Sequence, residues 1–219
     1  MNLFLIQIIT VEGIEMSGLR ERKKKESEEK ITNSARDIFL KKGYNNATME
    51  EIATKADMGV GTLYNYFKSK AEIFISIMAQ ESLINDTDEE ELDYTLEKDP
   101  VTIIIDYILR STEYIESFDK KLWMELFAAI LGNANSDNLI FTGLVNMDFK
   151  FIQKLEHLLN SMKEKGRLPQ SFKSNEAAFA IYSIIIAQII MYIYMEGATF
   201  EIYRKNVDNQ IRFIFEGKY

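Results

Sequence analysis

The 219 residues are enough for one large domain or two small ones with real cores, and only ten glycines and two prolines interrupt them, which points to an all-α fold. The absence of cysteine excludes a disulfide framework and thiolate chemistry; with His157 the only histidine, zinc would need carboxylates almost alone, so no metal site and no cofactor are expected. The formal net charge of −8 argues, as a sum, against DNA as a partner.

The distribution of charge reverses that argument. Residues 17–75 hold twelve Lys or Arg against nine Asp or Glu, a local balance of +3, while the remainder of the chain is strongly acidic. The opening MNLFLIQIITV is apolar, but it lacks the basic flank and small-residue cleavage site of a signal peptide and is too short to span a bilayer. The expected location is therefore the cytoplasm. Met16 begins MSGLRERKKK, which looks like a natural start, so residues 1–15 read as an early start or an extra packing segment. Arg20, Arg22, Lys23, Lys24 and Lys25 form a basic arm before the first helix, suited to phosphates or a minor groove, or else simply solvated. The first helix is predicted over 26–42. Ile31, Ala35, Ile38 and Phe39 form its apolar stripe, and Gly43 stops it.

Thr48 to Lys70, TMEEIATKADMGVGTLYNYFKSK, carries the strongest signal. Thr48 and Glu51 have the spacing of a capping box, and Met49, Ile52, Ala53 and Ala56 make one apolar face. Gly59 and Gly61 bracket Val60 where the chain turns, and a second short helix follows over 60–67. Ser69 and Glu72 form a second capping box and open a longer helix. Two short crossed helices of this kind describe a helix-turn-helix. Leu63 and Phe67, four apart, should face the core, which turns Tyr64 outward to a phosphate. Val60 can meet a thymine methyl, Gly61 allows close backbone approach, and Thr62 can reach a phosphate or a base edge. The N-terminal amides of the helix suit a phosphate as well. Tyr66 either contacts phosphate or wedges against the first helices, and Lys70 pairs with the DNA backbone.

These residues, within ITNSARDIFLKKGYNNATMEEIATKADMGVGTLYNYFKSKAEIF, resemble the DNA-binding domain of the tetracycline-repressor (TetR) family of bacterial regulators. The resemblance covers about 45 residues from Ile31, and GTLYNYFKSK is its most specific part. It implies DNA contacts from Tyr64, Lys70 and the capping hydroxyl of Thr48. Two positions depart from the family pattern: Asp57 stands where the turn usually has glycine, and Gly59 where a hydroxyl usually caps the recognition helix.

Beyond the reading unit, a helix continues from Ala71 toward Leu83, and the acidic stretch 85–99 reads as a connection held away from DNA. Pro100 starts a helix bearing Ile103, Ile104, Tyr107 and Ile108. FDKKLWMELFAAILG gives another, 133–138 a loop, and 139–165 a long helix. Residues 175–196 are apolar nearly all round. Glutamine and tyrosines argue against a membrane span there, and one side is expected to face the domain and another a twin subunit. The last helix is predicted over 200–215. With its predecessor it can form a four-helix bundle with a second copy, a dimer mode the family resemblance also implies.

The expected architecture is thus an extension and basic arm (1–25), a three-helix helix-turn-helix domain (26–70) and a larger ligand-binding and dimerisation domain (71–219). Candidate pocket residues are Tyr107, Trp123, Met124, Phe127, Met147, Phe151, Tyr182 and Tyr192, suited to a small hydrophobic or aromatic effector. Glu125 either recognises a cation in that pocket or lies in solvent. The expected function is an effector-released repressor that binds palindromic operator DNA as a dimer. No Ser-His-Asp set, phosphate loop or HExxH motif supports catalysis, so a helical-bundle enzyme and a DNA-free helical scaffold stand as alternatives.

Overall fold

A computed structural model describes residues 3–84, 99–132 and 139–217, so nearly all of the acidic stretch 85–99 and the predicted loop 133–138 lie outside the described residues. All regular structure among the described residues is helical. The order is α1 (Leu3–Lys42), α2 (Met49–Lys55), α3 (Val60–Tyr66), α4 (Lys70–Ile84), α5 (Pro100–Ser111), a 3-10 turn (Glu113–Ser117), α6 (Lys120–Gly132), α7 (Leu139–Glu164), α8 (Ser174–Tyr194) and α9 (Phe200–Phe215).

The first helix is longer than its predicted span of 26–42. It runs unbroken from Leu3, and the basic arm is part of it. The physical reason lies in the residues before Glu26. Arg, Lys and Glu are strong helix formers, and the pairs Arg22–Glu26 (3.5 Å) and Lys24–Glu28 (3.7 Å) sit one helical turn apart. The predicted boundary between arm and DNA-reading domain therefore falls inside one continuous helix.

Local signals place the other elements. Thr48 caps α2 with a complete capping box: the Glu51 N–H donates to Thr48 Oγ1 at 3.2 Å, and the Thr48 N–H donates to Glu51 Oε2 at 3.1 Å. At α4 the Glu72 N–H donates to Ser69 Oγ as expected, but the Glu72 carboxylate reaches back to the Lys68 N–H, so that box closes one residue early. Asp99 caps α5 ahead of Pro100, and Thr199 caps α9. Asp57 takes φ +54° in the turn between α2 and α3, the left-handed conformation that aspartate tolerates better than most side chains.

Phe74 of α4 joins the reading unit to the rest. Its ring lies 5.6 Å from Phe39 and 6.4 Å from Tyr44 on one side, and 5.0 Å from Phe118 and 5.6 Å from Trp123 on the other. A second tie is the Arg36–Glu81 ion pair at 2.8 Å, with the Arg36 guanidinium over the Phe118 ring. Behind this junction α7, α8 and α9 pack side by side, with α5 against α9 and α6 against α8.

Helix α8 is long and apolar enough, by length and composition, to cross a membrane, with a mean hydropathy of 2.0. Its residues divide into two faces, however. Ala178, Ile181, Ile185 and Ile193 are buried, while Phe179, Ile190, Met191 and Tyr194 are exposed. Gln188 is buried and accepts a hydrogen bond from the Asn206 side-chain amide of α9 at 3.1 Å.

Candidate nucleic-acid interface and effector cavity

The second short helix presents two unlike faces. Leu63 and Phe67 are buried, as their spacing requires, and α3 packs on α2. Gly61, Thr62 and Tyr64 are exposed, Tyr64 by 40%, so the hydroxyls singled out from the sequence point away from the core. A Cβ at Gly61 would meet nothing within 4 Å, which leaves its backbone open to a close approach. Val60 and Tyr66 are half-buried and pack against the core. Gly59 caps α3 without a side-chain hydrogen bond. Asn65, which sequence reasoning passed over, is exposed on the same outward side, and its spacing of four from Gly61 and three from Thr62 was the available signal.

Three contacts hold this unit in place. Lys42 pairs with Glu51, Lys55 with Asp37 (2.8 Å), and Lys30 with Asp57 (3.6 Å). The Lys42 ammonium holds the Glu51 carboxyl below its ordinary range, with help from the Thr48 N–H. Thr48 remains exposed while its hydroxyl caps α2.

Lys70 stands differently from its expected role. Its ammonium donates to the carbonyls of Tyr44 and Ala47, both at 2.7 Å, and lies 3.4 Å from that of Asn45 and 4.7 Å from the centre of the Tyr44 ring. It is thus bound to the loop between α1 and α2. Burial lowers its pKa, with Glu125 and Glu51 pulling the other way. Tyr44 is itself pushed up to about 12 by burial.

A cavity of about 150 Å³ opens between α4, α5, α7 and α8. Of the eight candidate pocket residues, Tyr107, Met147, Phe151 and Tyr182 line it. Tyr107 and Phe151 stack at 6.2 Å, and Phe151 lies 6.5 Å from Tyr182. The other four sit elsewhere. Trp123 is core, its indole N–H donating to the Ile115 carbonyl at 2.9 Å, and Phe127 stacks on it at 6.1 Å. Met124 is exposed, and Tyr192 packs beside the stacked rings of Phe200 and Tyr203. The cavity has a polar point that the sequence did not reveal: Asp148 accepts a hydrogen bond from the Tyr182 hydroxyl. Burial holds the Asp148 carboxyl above its ordinary range, while burial and Asp148 together push Tyr182 up. Tyr114 is raised by burial at the same wall. Glu125 faces neither the cavity nor open water; its carboxylate reaches the reading unit at Asn45. Among the described residues no group of three or more His, Cys, Asp or Glu side chains could hold a metal ion.

A short helix with hydroxyls outward, packed on a second short helix and joined to a larger helical domain, is the arrangement of a helix-turn-helix unit. Residues 31–77 match the family model described as bacterial regulatory proteins, tetR family. The HTH-type transcriptional regulator SrpR of Pseudomonas putida is 24% identical over 148 residues, covering 66% of this chain and 64% of SrpR. The HTH-type transcriptional repressor KstR of Rhodococcus jostii is 36% identical over 63 residues, covering 29% of this chain and 30% of KstR. The chain thus spans less than two thirds of the length of either relative. Among solved structures, Thermus thermophilus FadR, a TetR-family transcriptional repressor in complex with lauroyl-CoA, shares the fold at a TM-score of 0.65 and 19% identity, covering 87% of this chain and 94% of FadR. Over residues 31–77 the chain is thus similar to the TetR family of bacterial regulatory proteins, and its fold is shared with a TetR-family repressor.

Proposed function

We propose that this protein is a cytoplasmic, effector-released repressor that binds palindromic operator DNA as a homodimer, with no role at a membrane. The observation that carries the reading is the split face of α3, with Leu63 and Phe67 inward and Thr62, Tyr64 and Asn65 outward. In this reading Tyr64 and the Thr48 hydroxyl bond phosphates, Gly61 lets the backbone close in, and Val60, Thr62 and Asn65 meet base edges. Lys70 acts chiefly by holding the 43–47 loop and adds positive potential near the phosphates. Domain limits of 26–70 for the reader and 71–219 for the rest keep their use, with α1 crossing the first limit.

Two features support the dimer. The exposed apolar side chains Phe179, Ile190, Met191 and Tyr194 of α8 continue into Ile202 and Phe213 of α9, and Phe213 is 76% exposed. Small Ala180, Ser183 and Ala187 lie among them, exposed, and allow two such helices to approach closely. Pairing on this face sets two α3 helices about one turn of the duplex apart, roughly 34–36 Å.

The effector is a small hydrophobic or aromatic molecule. A cavity of about 150 Å³ matches a single ring with short substituents, with aromatic walls for its body and the Asp148–Tyr182 pair for a polar group. FadR of Thermus thermophilus binds lauroyl-CoA, a far larger ligand. An effector that prefers the state with misplaced reading helices by ~1–3 kcal/mol weakens DNA binding roughly 5–150-fold.

The test is selection of duplexes from a random-sequence library, followed by gel shift over a range of salt. Tyr64→Phe is expected to weaken binding about tenfold on every selected duplex and to leave the salt slope unchanged, because the lost phosphate bond is an uncharged one. If the wild-type protein selects no duplex, the DNA-free scaffold is correct. Unchanged affinity in Tyr64→Phe removes that residue from the interface.

A further inference from the structure

The loop between α1 and α2 is held from two directions. On one side Lys70 of α4 draws in the carbonyls of Tyr44 and Ala47. On the other, Glu125 of α6 accepts the Asn45 N–H at 2.9 Å, across 80 positions of sequence. Gly43 closes the same contact. Its φ of +82° suits glycine, and a Cβ there would sit 3.1 Å from Glu125 Oε2. The Glu125 side chain is only 12% exposed, with Lys121 4.0 Å away on its outer side. The carboxylate is therefore committed to this loop. Three residues beyond Asn45 the chain enters the capping box of α2 at Thr48, so the loop sets where α2 begins and how it is tilted.

The same helix packs behind the cavity wall. Trp123, two positions before Glu125, lies 6.3 Å from the ring of Tyr114, and Tyr114 lines the cavity wall. Helix α6 thus packs behind a wall residue of the effector cavity at one point and on the entrance to the helix-turn-helix at another. Helix α4 makes the covalent connection, and α6 makes a second one through a single carboxylate.

We propose that Glu125 is a positioning residue for DNA binding: by clamping Gly43 and Asn45 it fixes the pitch of α2 and α3 against the larger domain. Loss of the clamp leaves both short helices intact but free to tilt, and part of the binding energy is then spent on realigning them.

The inference rests on the DNA-binding reading above, and one experiment separates the two. The full chain, its Glu125→Ala variant and its Glu125→Gln variant are titrated with a duplex selected by the wild-type protein, and amide hydrogen exchange is followed alongside. Glu125→Ala is expected to bind about tenfold more weakly, while Glu125→Gln, which keeps an acceptor oxygen for Asn45, stays within about threefold of wild type. The Asn45 amide exchanges faster in Glu125→Ala, whereas Ile52 in α2 and Leu63 in α3 keep their protection. If the wild-type protein selects no duplex, the DNA-binding reading itself fails. If it binds and Glu125→Ala binds equally well, or Glu125→Gln is as weak as Glu125→Ala, the positioning role is overturned. Loss of protection at Ile52 and Leu63 overturns it too, because Glu125 then merely stabilises the helices.

Discussion

Replacing Lys70 with methionine removes the ammonium and keeps most of the aliphatic stem. The structure assigns that ammonium two short bonds to the Tyr44 and Ala47 carbonyls, a longer approach to that of Asn45, and the face of the Tyr44 ring. A hydrogen bond from a charged group is worth about 1.5–3 kcal/mol when desolvated. Lys70 is half-buried, so water can replace part of what is lost, and about 2 kcal/mol is the expected destabilisation for the whole set. For a chain of this size that lowers Tm by about 4–8 °C. Thermal and urea unfolding at one fixed protein concentration read the change, since self-association would otherwise move the midpoint. The urea slope should be unchanged. The variant's DNA affinity, measured well below its Tm, should keep the wild-type salt dependence. Two results would refute the reasoning: an unchanged midpoint, or a stable variant whose salt slope drops by about 0.9, the signature of one lost phosphate contact.

Other expectations follow from the same structure. Thr48→Ala removes the hydroxyl half of the α2 capping box, leaving the backbone N–H at that position to donate to Glu51, and should cost about 1 kcal/mol, read as a shift in urea midpoint. Asp148→Asn tests the cavity's polar point. Burial raises the Asp148 pKa in the fold, so its ionisation opposes folding; its contribution is most favourable below the ordinary value of 3.8 and is lost as pH rises through the raised one. The asparagine variant should therefore melt higher than wild type at pH 7, with the advantage vanishing at acid pH. A constant difference across that range would contradict it. Phe179→Glu combined with Ile190→Glu places charges on the open face of α8 and should yield folded monomers in sedimentation. An unaltered association state would move the dimer contact elsewhere.

Much of this architecture was legible locally. The bounds of α9, the capping box at Thr48 and the inward turn of Leu63 and Phe67 all follow from spacing and cap chemistry within one or two helical turns. Periodicity gave less at the cavity. It says that Trp123 and Tyr192 face inward, but not that Phe74 and Phe118 fill the space beside the first, or Phe200 and Tyr203 that beside the second. The long α1 was missed because a run of like charges resembles a solvated arm, while its (i, i+4) partners Glu26 and Glu28 lie just beyond it. Lys70 and Glu125 were read on their own helices, yet their partners are main-chain atoms of a loop 23 to 80 positions away, for which no local pattern exists.

The amide pair Gln188–Asn206 bears on the proposed pairing of two copies of this chain. Helix α8 is greasy on nearly every side, and grease alone lets neighbouring rods slide by a turn at little cost. One buried carboxamide that finds its mate in only a single alignment removes that freedom between α8 and α9. The outer surface formed by both is consequently rigid before any encounter, a preset template rather than a pliable patch. Relatives that kept the fold but altered this pair would be poor candidates for mixed assemblies with it.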